Sequence, residues 1–314
     1  MSRFVTFTPN PALDLSTSVD QLVDAHKLRC DTPQVHPGGG GINVARVLHR
    51  LGADVLALYP AGGPSGERLQ LLLQDEGVPN QPMAIAGETR ESFTVHERAG
   101  GREYRFVLPG PTLTPDEWVA ALAELRQRTP APAWIVSSGS LPPGVGDDGH
   151  AQVARVAQDI GARMVLDSSG AALKAGLTQR VWLVKPSLRE LAELAGEPLQ
   201  STDRQVQAAR QLIARGQTQV VALSLGAAGA MLVTASQCLL AEALKVPVAS
   251  SVGAGDSFLA ALVWALDRQS DLAEALATAM AAGAATVMTA GTALCQPQAI
   301  AGLRQQVRVH SDPL

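Results

Sequence analysis

The residues best suited to chemistry lie in Ser250-Ser251-Val252-Gly253-Ala254-Gly255-Asp256-Ser257, ahead of the apolar run Phe258-Leu259-Ala260-Ala261-Leu262-Val263. Small residues at a helix start leave its first backbone N–H groups uncovered. With the positive end of the helix dipole, those donors form an anion hole. A carboxylate there would repel a bound phosphate, so Asp256 needs a reason for its position. Two readings compete: a catalytic base beside a phosphoryl-transfer site, and a side chain that only caps its helix. A second cluster, Pro37-Gly38-Gly39-Gly40-Gly41-Ile42-Asn43, opens another predicted helix, with Val44, Val47, Leu48 and Leu51 on one face and Gly52 at its end. Four consecutive glycines cost backbone entropy and bury nothing, which a fold tolerates where a ligand approaches the main chain. Neither cluster is a common nucleotide fingerprint. The chain has no Gly-Lys dipeptide, hence no Walker A loop, and Gly38 to Asn43 lacks the last glycine of G-x-G-x-x-G.

The elements that must position these loops alternate along the chain. Phe4 to Phe7, Asp54 to Tyr59, Ala133 to Ser137, Met164 to Asp167, Val181 to Val184 and Val220 to Ser224 are short apolar runs suited to buried strands. Between them fall predicted helices, among them Glu67 to Glu76 and an Ala-rich one from Leu272 to Thr289. A helix also begins at Pro115, with Thr114 as N-cap and Glu117 completing a capping box. This order predicts an α/β fold with a central, mostly parallel sheet covered by helices on both faces. Two segments break the alternation. Ser92 to Glu97 and Arg102 to Val107, joined by Ala99-Gly100-Gly101, read as a β-hairpin, and Asp14 to Val35 is poor in helix pattern. Lys27, Arg29, Arg90 and Arg105 concentrate in these two segments of an otherwise acidic protein.

Composition narrows the function classes. A chain of 314 residues that is 46% hydrophobic can bury a large core. Its net charge of −4 and pI near 5.9 argue against nucleic acid and membrane surfaces as partners. Cys30, Cys238 and Cys295 are odd in number and far apart, which suits reduced thiols in a cytoplasmic protein. No leader pattern and no run long enough to span a membrane is present.

The early Gly-Gly-Gly-Gly-Ile-Asn and the late Gly-Ala-Gly-Asp resemble the two hallmark motifs of the PfkB (ribokinase-like) carbohydrate kinases. The likeness spans nearly the whole chain and rests on motifs in family order: Thr8-Pro9-Asn10-Pro11-Ala12-Leu13-Asp14, Ser138-Gly139-Ser140-Leu141-Pro142-Pro143-Gly144, Val184-Lys185-Pro186 with Glu190, and Ser224-Leu225-Gly226-Ala227-Ala228-Gly229. Gly38 to Gly41 with no lysine among them, and Tyr104-Arg105-Phe106-Val107-Leu108-Pro109-Gly110, are most similar to the type II 6-phosphofructokinase branch. The resemblance implies one kinase domain over 1–314. Inserted segments at about 12–36 and 88–108 would form a small β-sheet lid over the sugar, and a homodimer would form through that lid. It implies transfer of the ATP γ-phosphate to the 1-hydroxyl of fructose 6-phosphate, with 1-phosphofructokinase or tagatose-6-phosphate kinase as rivals at the same site. A non-catalytic sugar-phosphate or nucleotide sensor is the alternative from another class.

Residue roles follow from the resemblance together with side-chain chemistry. Asp256 is the expected base, with the N–H groups of the Gly253-Ala254-Gly255 turn stabilising the transferred phosphoryl. Asp14, Asn43, Ser140 and the Gly38, Gly39, Gly40 and Gly41 backbone are expected to bind the sugar, because a carboxylate accepts two hydroxyl hydrogen bonds at once. Lys27, Arg90 and Arg105 are candidates for the substrate's existing phosphate, with solvated surface residues as the plain alternative. Lys185, Ser187, Ser224, Gly226 and Gly229 are expected on the nucleotide, and Glu190 on Mg2+. Ser187 stands where the family's Asn-x-x-Glu element has asparagine, and a serine reaches less far. Ser250-Ser251 stands where many members have Asp-Thr. The loop that includes Ser250 and Val252 would bind K+ through backbone carbonyls, which this exchange leaves open.

Overall fold

The computed structural model describes residues 3–311. Its strands and helices follow one another in the order β1 (Phe4–Phe7), β2 (Ala12–Val19), β3 (Gln34–Gly38), α1 (Gly40–Arg50), β4 (Val55–Ala61), α2 (Gly63–Asp75), β5 (Asn80–Ala84), β6 (Arg90–Glu97), β7 (Arg102–Val107) and α3 (Pro115–Arg126). The chain continues with β8 (Trp134–Ser138), α4 (Gly149–Asp159), β9 (Arg163–Asp167), α5 (Gly170–Gly176), β10 (Leu183–Val184), α6 (Leu188–Ala195), α7 (Thr202–Ala214), β11 (Val220–Ser224), β12 (Ala230–Val233), β13 (Cys238–Ala241), α8 (Ala254–Asp267), α9 (Leu272–Val287), α10 (Pro297–Arg304) and β14 (Val309–Ser311).

The apolar strand runs pair into a ten-stranded sheet in the order β14-β13-β12-β11-β10-β9-β8-β1-β4-β5. Its strands from β11 to β5 are parallel, and β12, β13 and β14 add antiparallel at one edge. Such strands are buried on both faces, so they read as continuous apolar runs. Two hydrophobic cores result. One packs α1, α2, α8 and α9 on one face, and the other packs α3, α4, α6 and α7 on the opposite face. From β1 the chain moves to β4 and β5 on one side and later to β8, β9 and β10 on the other. The order therefore reverses between β1 and β8, and crevices at the carboxyl ends of strands form at such a reversal.

β3, β2, β6 and β7 form a separate four-stranded sheet. It is mixed: β2 runs antiparallel to β3 and parallel to β6, and β6 with β7 makes the predicted hairpin. The Thr114–Glu117 capping box is present at α3. Two boundaries differ from expectation. α2 starts at Gly63, four residues early, because Pro64 fits the first helical turn. Of the 181–184 run only Leu183 and Val184 pair as β10.

Candidate active site

The carboxyl ends of β8 and β9, the N-termini of α1 and α8, and the inner face of the four-stranded sheet enclose a cleft of about 390 Å³. Asp256 lies in its wall. The helix it belongs to is capped by Gly253 in the left-handed region (φ 76°) without any side-chain cap bond. Asp256 therefore does not cap α8. Instead its Oδ2 accepts a hydrogen bond from Asn43 Nδ2 at 2.8 Å, which ties the N-terminus of α8 to that of α1. Burial, and then the like charge of Asp167, push the Asp256 carboxyl up to about 6, against the pull of Asn43 and Lys185. A carboxylate poised there is ionised at neutral pH and basic enough to take a proton.

Across the cleft Asp14 rises from β2, directly over Gly38 on its partner β3. Burial pushes its carboxyl up to about 6 as well, with Arg105, Arg46 and Arg90 opposing. Arg90 lines the cleft, but its guanidinium also donates to the carbonyls of Asn10 (2.8 Å), Leu108 (3.0 Å) and Pro11 (3.4 Å). It thus joins the turn after β1 to the end of the hairpin. Arg105, opposite Thr94 in the β6–β7 pair, is exposed in the cleft wall and makes no ion pair with the described residues. Lys27 stands exposed in the connection from β2 to β3, apart from the cleft wall.

The four glycines divide. Gly39 and Gly40 line the cleft, and Gly38 and Gly41 do not. Protein atoms enforce all four: a Cβ at Gly38 would strike the Asp14 carboxylate, and one at Gly40 the Ser138 hydroxyl. At Gly39 (φ 110°) it would meet Thr8 Cγ2 at 2.7 Å, and at Gly41 Thr8 Oγ1 at 2.5 Å. The sequence reading assigned the glycines to ligand approach. The structure adds a tighter cause, the close seating of α1 on the ends of β1, β2 and β8. Ser140 lines the cleft too and its hydroxyl accepts from Asn10 Nδ2 at 3.2 Å.

On the side of β9 to β11, Lys185 is 8% exposed and forms an ion pair with Asp167 Oδ1 at 2.9 Å. Burial opposes its charge, and the Asp167 carboxylate beside it, with Asp256 and Glu190, holds the ammonium above the usual lysine value. The ammonium also sits beneath Gly255, where it would be 3.5 Å from an added Cβ. Lys185 therefore faces inward rather than lining the open cleft. Ser187 caps α6 and closes a capping box with Glu190, whose Oε2 accepts from the Ser187 amide at 2.8 Å. Glu190 also reaches the cleft wall. A bridge between Ser187 and Ser224 brings the turn after β11 alongside, with Gly226 (φ 59°) exposed and Gly229 (φ 114°) buried. Ser250 is buried, and its hydroxyl accepts from the Val252 amide at 3.2 Å in the loop that leads to Gly253.

Asp167 is a site residue outside every motif read from the sequence, and Ser138 is one read there only as the start of the 138–144 motif, with no role assigned. Ser138 Oγ donates to Asp167 Oδ2 at 3.2 Å, and both line the cleft. The available signal was position: Asp167 ends a predicted buried strand and Ser138 directly follows one, where a polar side chain reaches the ligand edge of an α/β sheet.

Comparison with known proteins matches residues 10–299 to the pfkB family of carbohydrate kinases. An ATP-dependent 6-phosphofructokinase isozyme 2 of Mycobacterium tuberculosis is 45% identical over 93% of this chain and 86% of its own length. The Escherichia coli protein of the same name is 40% identical over 94% and 96%. A Vibrio cholerae 1-phosphofructokinase is 33% identical over 98% and 96%. The structure of E. coli phosphofructokinase-2 in complex with potassium superposes with a TM-score of 0.92 at 38% identity, covering 98% of this chain and 99% of that one. Its complex with fructose-6-phosphate gives 0.91 at 37%, with the same coverage. The chain belongs to the pfkB family of carbohydrate kinases.

Proposed function

We propose that this kinase transfers the γ-phosphate of ATP to the 1-hydroxyl of fructose 6-phosphate, giving fructose 1,6-bisphosphate and ADP. The observation that carries the reading is one cleft that holds Asp256 at the bare N-terminus of α8 and sets Asp14, Arg90 and Arg105 in the opposite wall. An unphosphorylated sugar needs no pair of arginines there. A sugar that already carries a phosphate does. The relatives at 45% and 40% identity, both named 6-phosphofructokinases, support this choice over the 1-phosphofructokinases at 33%.

Asp14, Asn43, Ser140 and the Gly39–Gly40 backbone bind the sugar hydroxyls, and Arg90 and Arg105 neutralise its 6-phosphate. Asp256 takes the proton of the 1-hydroxyl as that oxygen bonds to the γ-phosphorus. The bond from phosphorus to the β,γ-bridging oxygen breaks, and the electron pair leaves with ADP. The amides of the Gly253–Asp256 turn stabilise the charge on the transferred group. Lys185 holds Asp167 in place, and the Ser187 cap and the Ser224–Gly229 turn set the nucleotide side.

Mg2+ fits this wall as an ion carried by the triphosphate. Among the described residues no cluster of three or more His, Cys, Asp or Glu side chains could hold it directly. Asp167 and Glu190 would meet it through water, and when bound it offsets the triphosphate charge. K+ would be held by carbonyls of the 250–252 loop. That the E. coli relative was solved in complex with potassium supports K+ as a ligand of this fold rather than of a particular loop. The test is ADP release with Mg2+ and K+, comparing fructose 6-phosphate, fructose 1-phosphate, tagatose 6-phosphate and fructose by kcat/KM. Preference for fructose 6-phosphate supports the reading. Preference for another phosphosugar replaces the substrate, and no turnover with any favours the sensor.

A further inference from the structure

Beneath the cleft lies a charged side chain that the proposed chemistry does not use. Arg46, one helical turn beyond Asn43 on α1, is 0% exposed. A buried guanidinium must find partners for its five donors, and it has no acceptor. All three nitrogens of Arg46 find acceptors. Nε and Nη2 grip the Glu76 carboxylate of α2, with Nε 2.9 Å from Oε2 and Nη2 2.6 Å from Oε1. Nη1 reaches three oxygens: the carbonyls of Thr292 (3.0 Å) and Pro37 (3.1 Å) and Asn43 Oδ1 (3.3 Å). Arg50 closes the far side of the pair, with Nη2 3.1 Å from Glu76 Oε2 and Nη1 2.7 Å from the Ala293 carbonyl.

Asn43 is 3% exposed and its amide could in principle sit either way round. Turned over, it would point its NH2 at a guanidinium that can only donate and its oxygen at the Asp256 carboxylate. Both contacts would then repel. Since Arg46 can accept nothing, Asn43 must present Oδ1 to it, and the only orientation left gives Nδ2 to Asp256 Oδ2. We propose that Arg46, clamped by Glu76, is a positioning residue that fixes the Asn43 amide and through it the rotamer and hydrogen bonding of the catalytic base. The same guanidinium holds the Pro37 carbonyl next to Gly38, the glycine beneath Asp14, so one group anchors both carboxylate walls of the cleft. The charged groups facing this network are Glu76, Arg50, His36 and Asp14 around Arg46, and Asp167, Lys185 and Asp14 around Asp256. The inference rests on Asp256 being the base.

The chain has three asparagines, Asn10, Asn43 and Asn80. Labelling asparagine with 15N therefore gives three side-chain amide pairs, and an Asn43→Ala protein assigns the relevant one. Arg46→Lys keeps a charge beside Glu76 but loses the fork. We expect it to move the Asn43 pair, as Asp256→Asn should, while Asn10 and Asn80 stay in place. It should also cut kcat about tenfold or more with the KM for ATP within about twofold, the signature of lost positioning rather than lost binding. An unmoved Asn43 pair, or kcat within about twofold of the parent, overturns the proposal. If Arg46→Lys does not fold by circular dichroism, Glu76→Gln is read by the same two criteria. Near-normal turnover of Asp256→Asn would instead overturn the base itself, and a shifted Asn43 pair in that case would show that the fixed amide serves no catalysis.

Discussion

Asp256 is pulled two ways, and both have measurable consequences. Burial and the nearby Asp167 disfavour its charge, whereas the proposed reaction needs the charge present. Removing it as Asp256→Asn should lower kcat by about 10²–10⁴-fold, the usual contribution of a positioned base. The same change should raise the melting temperature at pH 8, because a carboxylate whose folded-state value is raised costs stability when ionised. The sign fixes the window. As pH falls below about 6 the native Asp256 takes up its proton and that cost shrinks, vanishing only near the ordinary carboxyl value of 3.8, so the melting difference between variant and parent should narrow toward pH 5. For the parent, kcat should fall as pH drops through about 6, since the base is then protonated. A flat rate profile from pH 5 to 8 would contradict this. Among the described residues the Arg105 side chain makes no hydrogen bond or ion pair, where Arg90 holds three carbonyls, so the two should separate. Arg105→Ala should raise the KM for fructose 6-phosphate by about tenfold, a loss of about 1.4 kcal/mol, with unchanged melting. Arg90→Ala should raise KM and also lower the melting temperature, because three carbonyls lose their donor.

At the scale of elements, the glycines of the 38–41 run are spacers between α1 and three strands. Gly38→Ala would push a methyl into the Asp14 carboxylate and displace β2 from β3. The expected outcome is a large rise in the KM for the phosphosugar with ATP-side kinetics little changed, read by varying each substrate in turn. The opposite pattern would place Gly38 on the nucleotide. Thr114→Ala provides the contrast. It deletes one half of the α3 capping box, far from the cleft, and should cost about 1 kcal/mol in urea unfolding while leaving kcat/KM intact. Both elements were legible in the sequence, because caps and glycine runs are local signals. That α1 and α8 meet tip to tip was not legible, since Asn43 and Asp256 stand 213 residues apart.

For the whole molecule, the four-stranded sheet leaves Phe106 (52% exposed), Val107 and Leu108 uncovered beside the cleft. The proposed homodimer through the lid would cover such a strip. Sedimentation should then give twice the 32.7 kDa chain mass, and Phe106→Asp should return the single mass. A monomeric parent would remove the lid from the assembly. The E. coli relative has been seen as a tetrameric inhibited form, so higher states belong in the same experiment. No helix among the described residues is long and apolar enough to cross a membrane.

The amino-acid sequence by itself determined the alternation of buried strands and helices, the hairpin, the two glycine-rich helix starts and the carboxylate beside one of them. Each of these is written in a few neighbouring residues whose backbone preferences and apolar spacing act locally. Only the tertiary structure decided that Asp256 meets Asn43 rather than capping its helix, that Lys185 turns inward to Asp167, that Lys27 stands apart from the cleft, and that Arg46 is buried under the site. Those outcomes depend on which strand ends the sheet order brings together at the β1–β8 reversal. A buried charge is assigned its partner by that assembly, because the cost of leaving it unpaired falls due only once the layers close around it.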